Sequence, residues 1–377
     1  MNSKDHVKYE KSLQYYEQAL AIAIQIGNKR SKGILLGNIG DVLSKIGKWE
    51  EAEQYLTKAI AVCREISFSV GVGVFTGSLA WLYAQLQQMK KALQLFIGGR
   101  IIPGKYPETP ESYVLRYTGS KYENVTDVIA PEIKQAGMVT SALFTDVDGD
   151  HQPDLLVTYE WGPVRYFHNE NGKLIDRTSQ AGLANRQGWY NSISGGDMDN
   201  DGDTDYLVGN FGLNTKYQAS KNKPEIMYYG DFEGNGIKRI IEAKYENGIC
   251  LPHRGLGCSS GAMPMIKKKL PTYHKFAITS LQDIYTENRI NDAEQYEIND
   301  LASGILINQT DSKGKVRLEF HPLPRIAQAS PIFGSAVCDI NGDGNLDLYV
   351  VQNFFGPQRE TGYMDGGVSL LLKGDGL

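Results

Sequence analysis

Three nine-residue stretches of this 377-residue chain have Asp or Asn at positions 1, 3, 5 and 9, and nothing else in it limits the possible folds so strongly. They are Asp146-Val-Asp148-Gly-Asp150-His-Gln-Pro-Asp154, Asp197-Met-Asp199-Asn-Asp201-Gly-Asp203-Thr-Asp205 and Asp339-Ile-Asn341-Gly-Asp343-Gly-Asn345-Leu-Asp347. Oxygen side chains at positions 1, 3 and 5 converge on one point when the chain curls around it. A backbone carbonyl at position 7 (Gln152, Asp203 or Asn345) adds a ligand, and the carboxylate at position 9 closes the cage. Calcium takes roughly six to eight such oxygens, and hard anionic donors suit it better than softer metals. Carboxylates crowded this closely repel one another unless a cation lies among them. A solvated acidic turn would explain one such loop, because Asp and Asn favour turns. Three copies in one context favour Ca2+.

That context is strand, loop, strand. Apolar runs follow the last Asp of each loop: Leu155-Leu156-Val157, Tyr206-Leu207-Val208 and Leu348-Tyr349-Val350. Strand-like runs such as Ser141–Thr145 and Ser335–Cys338 precede. An EF-hand would need a bidentate Glu at position 12 and flanking helices, but position 12 is Val208 in the second loop and Val350 in the third. The same count excludes a dockerin module.

With Phe333-Gly334-Ser-Ala336 ahead of the last loop, these units resemble the FG-GAP/VCBS repeats of integrin-α-like β-propellers. The segments Gly98-Gly99-Arg100-Ile-Ile-Pro103-Gly104-Lys-Tyr-Pro107, Gly209-Asn-Phe-Gly212-Leu-Asn214-Thr-Lys216-Tyr and Gly362-Tyr-Met-Asp365-Gly-Gly367 look like the ASPIC/UnbV type related to cartilage acidic protein. The resemblance covers residues 97–377 and implies calcium-binding blades, usually in exported or cell-surface proteins that act in adhesion or ligand binding. It places the metal ligands at Asp146, Asp148, Asp150, Asp154, Asp197, Asp199, Asp201, Asp205, Asp339, Asn341, Asp343 and Asp347. A fourth loop, Asp231-Phe-Glu233-Gly-Asn235-Gly-Ile-Lys-Arg239, has Arg239 at position 9. Its guanidinium is expected to take the cation's place and neutralise Asp231 and Glu233.

The loops begin 51 residues apart (146 to 197), then 34 (to 231), then 108 (to 339). Residues 97–377 then suffice for five or six blades at the first spacing. Phe276, Ile278, Leu281, Ile284 and Tyr285 fall near helical spacing, so a helical insertion is expected at about 250–295 within the wide gap. The chain stops at Lys373-Gly-Asp-Gly-Leu377, so the propeller-like domain is expected to be incomplete at its C terminus.

Residues 1–96 repeat with a period of 40. Tyr15, Ala19 and Leu20 recur as Tyr55, Ala59 and Ile60, Gly33 as Gly73, and Ala52 as Ala92. Ile39-Gly40, Leu43, Ala52, Leu56 and Ala59 resemble a tetratricopeptide repeat of the longer, kinesin-light-chain-like kind. The third repeat is expected to enter a second helix that breaks off at Phe96, before Gly98-Gly99-Arg100. The fold class is thus α + β multidomain: helical repeats, then an all-β propeller-like domain.

A net charge of −5 argues against nucleic acid as partner. No basic-then-apolar leader and no apolar run of membrane-spanning length occurs in this sequence. Four cysteines are too few for a disulfide scaffold, although Cys250 and Cys258 could pair, and His253 between them makes no zinc pattern. Gly257-Cys258-Ser259-Ser260-Gly261 matches a nucleophile elbow in the wrong context, and Lys267-Lys268-Lys269 reads as a solvated basic face. The expected function is a calcium-binding interaction module rather than an enzyme. A protein or glycan would bind the propeller, and a peptide or protein the helices. The alternative is a propeller-based hydrolase or lyase acting on a polysaccharide.

Overall fold

The chain divides into two compact units, Met1–Leu95 with Tyr117–Lys121, and Phe96–Arg116 with Tyr122–Leu377. The computed structural model describes residues 3–66, 68–91, 94–118, 121–311, 314–357 and 361–376.

The first unit contains helices α1 (Ser3–Gln25), α2 (Lys29–Lys45), α3 (Trp49–Glu65) and α4 (Ser69–Lys91). Gly27 and Gly47 end α1 and α2 at φ +69° and +82°, a conformation that glycine adopts without strain. Asn28 then caps α2, its side-chain oxygen accepting the Ser31 N–H at 2.9 Å. Turns this short make consecutive helices antiparallel neighbours. Their core joins Leu36, Ile39, Leu43, Ala52, Leu56 and Ala59.

The repeated small residues are not equivalent. A Cβ on Gly33 would lie 2.9 Å from Cys63 Sγ, and one on Gly37 would lie 2.0 Å from the Phe75 ring. One on Gly73, the partner of Gly33 in the repeat, meets nothing within 4 Å. Ala92, matched to Ala52, lies outside the described residues. The expected second helix of the third repeat does not form: α4 is one helix ending at Lys91, and Gln94–Ile97 is strand β1. Leu95-Phe96-Ile97 favours extended backbone, and Gly98-Gly99 cannot sustain a helix.

The second unit is a set of antiparallel sheets. Strands β1, β2 (Tyr113–Tyr117) and β3 (Tyr122–Asn124) form a three-stranded sheet, followed by a helical turn α5 (Thr126–Ile129). The first blade-like sheet pairs β4 (Met138–Thr145), β5 (Asp154–Pro163), β6 (Arg165–Glu170) and β7 (Lys173–Asp176) in chain order. Strand β8 (Gln187–Trp189) lies against the far end of β5. The second begins with β9 (Ser192–Gly196) and β10 (Asp205–Gly209).

The chain then leaves that sheet to build another, from β11 (Glu225–Gly230), β12 (Arg239–Glu246), β13 (Ile249–Pro252) and β14 (Glu294–Ile298). Five short helices lie between β13 and β14: α6 (Leu256–Ala262), α7 (Met265–Lys269), α8 (Tyr273–Ile278), α9 (Leu281–Tyr285) and α10 (Glu287–Asn291). Only then do β15 (Gly304–Asn308) and β16 (Leu318–Pro322) complete the second sheet, β15 pairing with β10. The last sheet holds β17 (Ile332–Cys338), β18 (Asp347–Gln352) and β19 (Leu371–Leu372).

The nested sheet explains the irregular spacing of the loops. The Asp231 loop joins β11 to β12, so it belongs to the insertion and not to the series of consecutive blades. Five antiparallel sheets are present among the described residues, and none closes into a barrel. The insertion helices bury Phe276, Leu281, Ile284 and Tyr285 against Ile226, Tyr228 and Ile241. Ile278, which shares their sequence pattern, is exposed because α8 ends there.

Side chains alternate across a strand, so each apolar run serves two interfaces. Leu155 and Val157 pack with Val114 and Ile133. Leu156, between them, joins Tyr166, Tyr206 and Val208. Leu207 faces the other way, onto Ile332, Leu348 and Val350. The loop-bearing sheets thus stack in series, and each buried side chain of this size contributes about 1.5–3 kcal/mol.

The close approach at Gly37 can be tested against the open space at Gly73. Gly37→Ala should lower the stability of the full chain by about 1–3 kcal/mol through overpacking. Gly73→Ala should leave it unchanged or raise it by up to about 1 kcal/mol. Denaturation followed by far-UV circular dichroism separates the two, and equal effects would contradict the packing.

Candidate metal centres

Each acidic loop joins the first two strands of its sheet, β4 to β5, β9 to β10, and β17 to β18. The backbone turns identically in all of them. Position 4 is left-handed at Gly149, Asn200 and Gly342, and position 6 at His151, Gly202 and Gly344. Gly and Asn tolerate this conformation, which explains their place between the acids. The position 6 N–H donates to the Oδ2 of the first Asp in every loop, at 2.9 Å in the first, 3.1 Å in the second and 2.9 Å in the third. Two left-handed residues in alternation keep the side chains at positions 1, 3 and 5 on one side.

The carboxylates at position 9 are the most buried. Asp154 and Asp205 have no exposed surface, and Asp347 is 2 % exposed, so none of them is a solvated turn residue. One oxygen of each closes the loop by accepting the position 2 N–H: Val147 at 3.1 Å, Met198 at 2.8 Å and Ile340 at 3.0 Å. The other accepts an N–H from beyond the second strand, Asn169 at 2.7 Å, Asn308 at 2.8 Å and Gly374 at 3.0 Å.

Candidate ligand atoms converge in two of the loops. Oxygens of Asp146, Asp148 and Asp150 lie within 4.8 Å of one another, as do those of Asp197, Asp199 and Asp205. Asp201 stays bound into the turn, accepting the Asp203 N–H at 3.1 Å. In the third loop Asp339, Asn341 and Asp343 accept backbone N–H groups as their counterparts do. The second loop also leaves Asp203 Oδ1 buried without a hydrogen-bond partner. A hard cation would relieve that oxygen, so the residues present fit calcium there.

What differs among the loops is a neighbouring basic side chain that the sequence reading missed. In the first, His168 on β6 has Nδ1 3.1 Å from Asp154 Oδ1 and 3.5 Å from Asp148 Oδ2. In the third, Lys373 Nζ binds Asp343 Oδ2 at 2.9 Å. Their counterpart in the second loop is Ile307, which also directly precedes the residue whose N–H caps the ninth Asp. The sequence signal was a position in or just after a later strand, invisible until the pairing was known.

The Asp231 loop adopts the same turn, with Gly234 and Gly236 left-handed and the Gly236 N–H donating to Asp231 Oδ2 at 2.7 Å. Arg239 does not neutralise both acids as expected: it reaches only Glu233, at 4.0 Å. The cation over Asp231 is Arg289 of helix α10, whose guanidinium donates to the Asp231 carbonyl at 2.9 Å and lies 3.9 Å from Oδ1. The nested sheet positions it there, 58 residues along the chain.

Burial dominates the electrostatics of the loops. It pushes Asp154 up to about 6, against the pull of the Asn169 and Val147 N–H groups. It also raises Asp148, Asp199 and Asp205. Asp203 is pushed up to about 7 by burial and then by Asp201 beside it. Asp343 is lowered, by the Asn345 N–H and then by Lys373. Without a cation the ionised second loop is therefore costly.

Other sequence motifs prove structural. Ser259 lies within α6, its hydroxyl donating to the Arg254 carbonyl, so no strand-to-helix elbow presents it. His253 pairs with buried Glu225. No disulfide joins Cys250 and Cys258.

Residues 8–65 match the tetratricopeptide repeat family, and residues 146–208 match the FG-GAP-like repeat. The second match runs from the first Asp of the first loop to the strand after the second. No curated protein matches the chain.

Calcium titration calorimetry should resolve the loops. Asp205→Asn should remove one binding event, and Lys373→Met should tighten the weakest about fivefold, the worth of one exposed ion pair. An isotherm unchanged by both would exclude these loops as sites. A second expectation concerns pH in chelator. Asp154 is raised on folding, so its stabilising contribution is complete below pH 4 and disappears as pH rises through about 6. Asp203 extends that loss to about 7. Metal-free stability should fall over this window, Asp154→Asn should flatten the fall, and saturating calcium should reverse it.

Proposed function

We propose that this chain is a calcium-stabilised interaction module, in which metal held by the FG-GAP-type loops rigidifies the sheets that present a ligand-binding surface. One observation carries this reading: the three loops are linked in series across neighbouring sheets. Asn308, whose N–H caps Asp205 in the second loop, reaches the Val147 carbonyl of the first through its side chain. Asn200 in the second donates to Asn345 Oδ1 in the third at 2.8 Å. An ion in any loop therefore stiffens its neighbours. Because an ion binds only ordered loops, it stabilises the native state by mass action.

The tetratricopeptide helices would take a peptide or a second protein. Tyr15, Ile22 and Ile24 on α1 and Val70, Val74 and Trp81 on α4 are exposed, and such side chains support a partner there. The sheets would take a protein or glycan. An ASPIC/UnbV-type assignment is supported by Gly209–Asn214, which carries the chain from β10 into the nested insertion. There the Asn210 side chain accepts the Trp189 N–H at 3.0 Å, and the Gly212 N–H donates to the Leu301 carbonyl at 2.8 Å.

Binding rather than turnover is supported by the carboxylates outside the loops. Glu160 accepts from Tyr106 and Arg100, and Glu242 from Tyr217 and Arg254, so all four oxygens already have donors.

Thermal unfolding of the full chain tests the reading. Calcium at a hundred times its dissociation constant should raise the melting temperature by roughly 5 °C or more over the chelated protein. The double change Asp154→Asn, Asp205→Asn should remove most of the rise. A melting curve indifferent to chelator would refute the proposal.

A further inference from the structure

The blades carry a second feature at the ends away from the metal loops. Strands β5, β10 and β18 start at their loops and run outward, so Trp161 at the end of β5, Phe211 beyond β10 and Phe354 beyond β18 share the opposite side. There they line a cavity of about 400 Å³, within the range for small-molecule sites. Trp161, Phe211 and Tyr217 pack edge-on around Trp189, their ring centroids 4.9, 4.6 and 4.7 Å from it.

Polar groups interrupt the aromatic wall in a particular balance. Arg100 pairs with Glu160, and Arg254 with Glu242, with nitrogen–oxygen distances of 3.2 Å in the second pair. All four line the cavity, so it has no net charge. Two further lining residues hold unmet donors. The indole N–H of Trp189, a residue 8 % exposed, has no hydrogen-bond partner among the described residues, and neither has the Asn191 amide nitrogen. Both nitrogens are themselves covered, so the polar groups the cavity offers are those of its two ion pairs.

We propose that this cavity binds a neutral carbohydrate, one or two sugar rings of a glycan. This deepens the interaction-module reading and rests on it. A pyranose offers an apolar C–H face to the aromatic wall and a rim of hydroxyls that both donate and accept. Its hydroxyls donate to Glu160 and to Glu242 Oε1, which accepts only Tyr217 and keeps a second lone pair. A cationic ligand would have to take a carboxylate from its arginine, and an anionic one an arginine from its carboxylate. A neutral polyol breaks neither pair.

The full chain in calcium should be screened by saturation-transfer NMR and tryptophan fluorescence. The probes are the methyl glycosides of glucose, galactose, mannose and N-acetylglucosamine, with cellobiose and lactose, and choline and citrate as charged controls. At least one neutral sugar should bind and perturb the tryptophan emission, and neither control should compete. Glu242→Gln and Arg254→Met, at the rim rather than in the aromatic core, should each weaken binding about tenfold or more. Silence from all six sugars at tens of millimolar overturns the proposal. So does competition by choline or citrate, or wild-type affinity in both variants. The calcium-induced melting shift, read on the same samples, should survive in both variants. Its loss from the wild-type chain would count against the metal reading alone.

Discussion

The β unit depends on one arrangement made three times: a fully desolvated aspartate whose two oxygens are shared between its own loop and a later strand. Asp154, Asp205 and Asp347 each take one N–H from position 2 of their loop and one from beyond the following strand. Burying a carboxylate costs several kcal/mol, and two N–H donors only partly offset that, since Asp154 remains raised. A divalent cation would supply the remainder. The same residue thus sets the loop's shape, ties neighbouring strands together and creates the electrostatic demand that calcium would meet.

Neighbouring basic side chains distinguish the four turns. Among the described residues, none of the histidine, lysine or arginine groups that reach the other loops flanks the second, and the Asp203 oxygen there has no hydrogen-bond partner. His168 crowds the first, Lys373 occupies an acid of the third, and Arg289 covers the fourth. A guanidinium offers charge in a rigid fork, whereas an exposed lysine is easily displaced. The fourth turn, which also lacks the ninth Asp, keeps the backbone of a metal loop while a side chain supplies the charge. The turn therefore follows from its left-handed positions, and its charge balance from side chains that reach it from elsewhere.

Nesting one sheet inside another separates two tasks. The three stacked sheets keep their loops in register through Asn308 and Asn200. The insertion, anchored by its own apolar core, brings Tyr217, Glu242 and Arg254 to the aromatic cavity at the other side. The acidic loops and the aromatic cavity thus lie at opposite ends of the same strands. Stiffening the loops at one end also steadies the strand ends that carry Trp161 and Phe211.

The sequence alone determined whatever depends on neighbours along the chain. The alternating acids, the Gly and Asn between them and the apolar runs after them specify strand, turn and strand, because left-handed backbone and two-residue periodicity are local properties. The 40-residue recurrence in the helices is legible for the same reason. Only the tertiary structure decided which strand follows which in space. The return of β15 to β10 lies across an insertion of nearly a hundred residues, so blade order could not be read from loop spacing. Likewise His168, Lys373 and Arg289 reach the loops from distant segments, and a hydrogen bond to a distant strand leaves no periodic trace in the residues that make it.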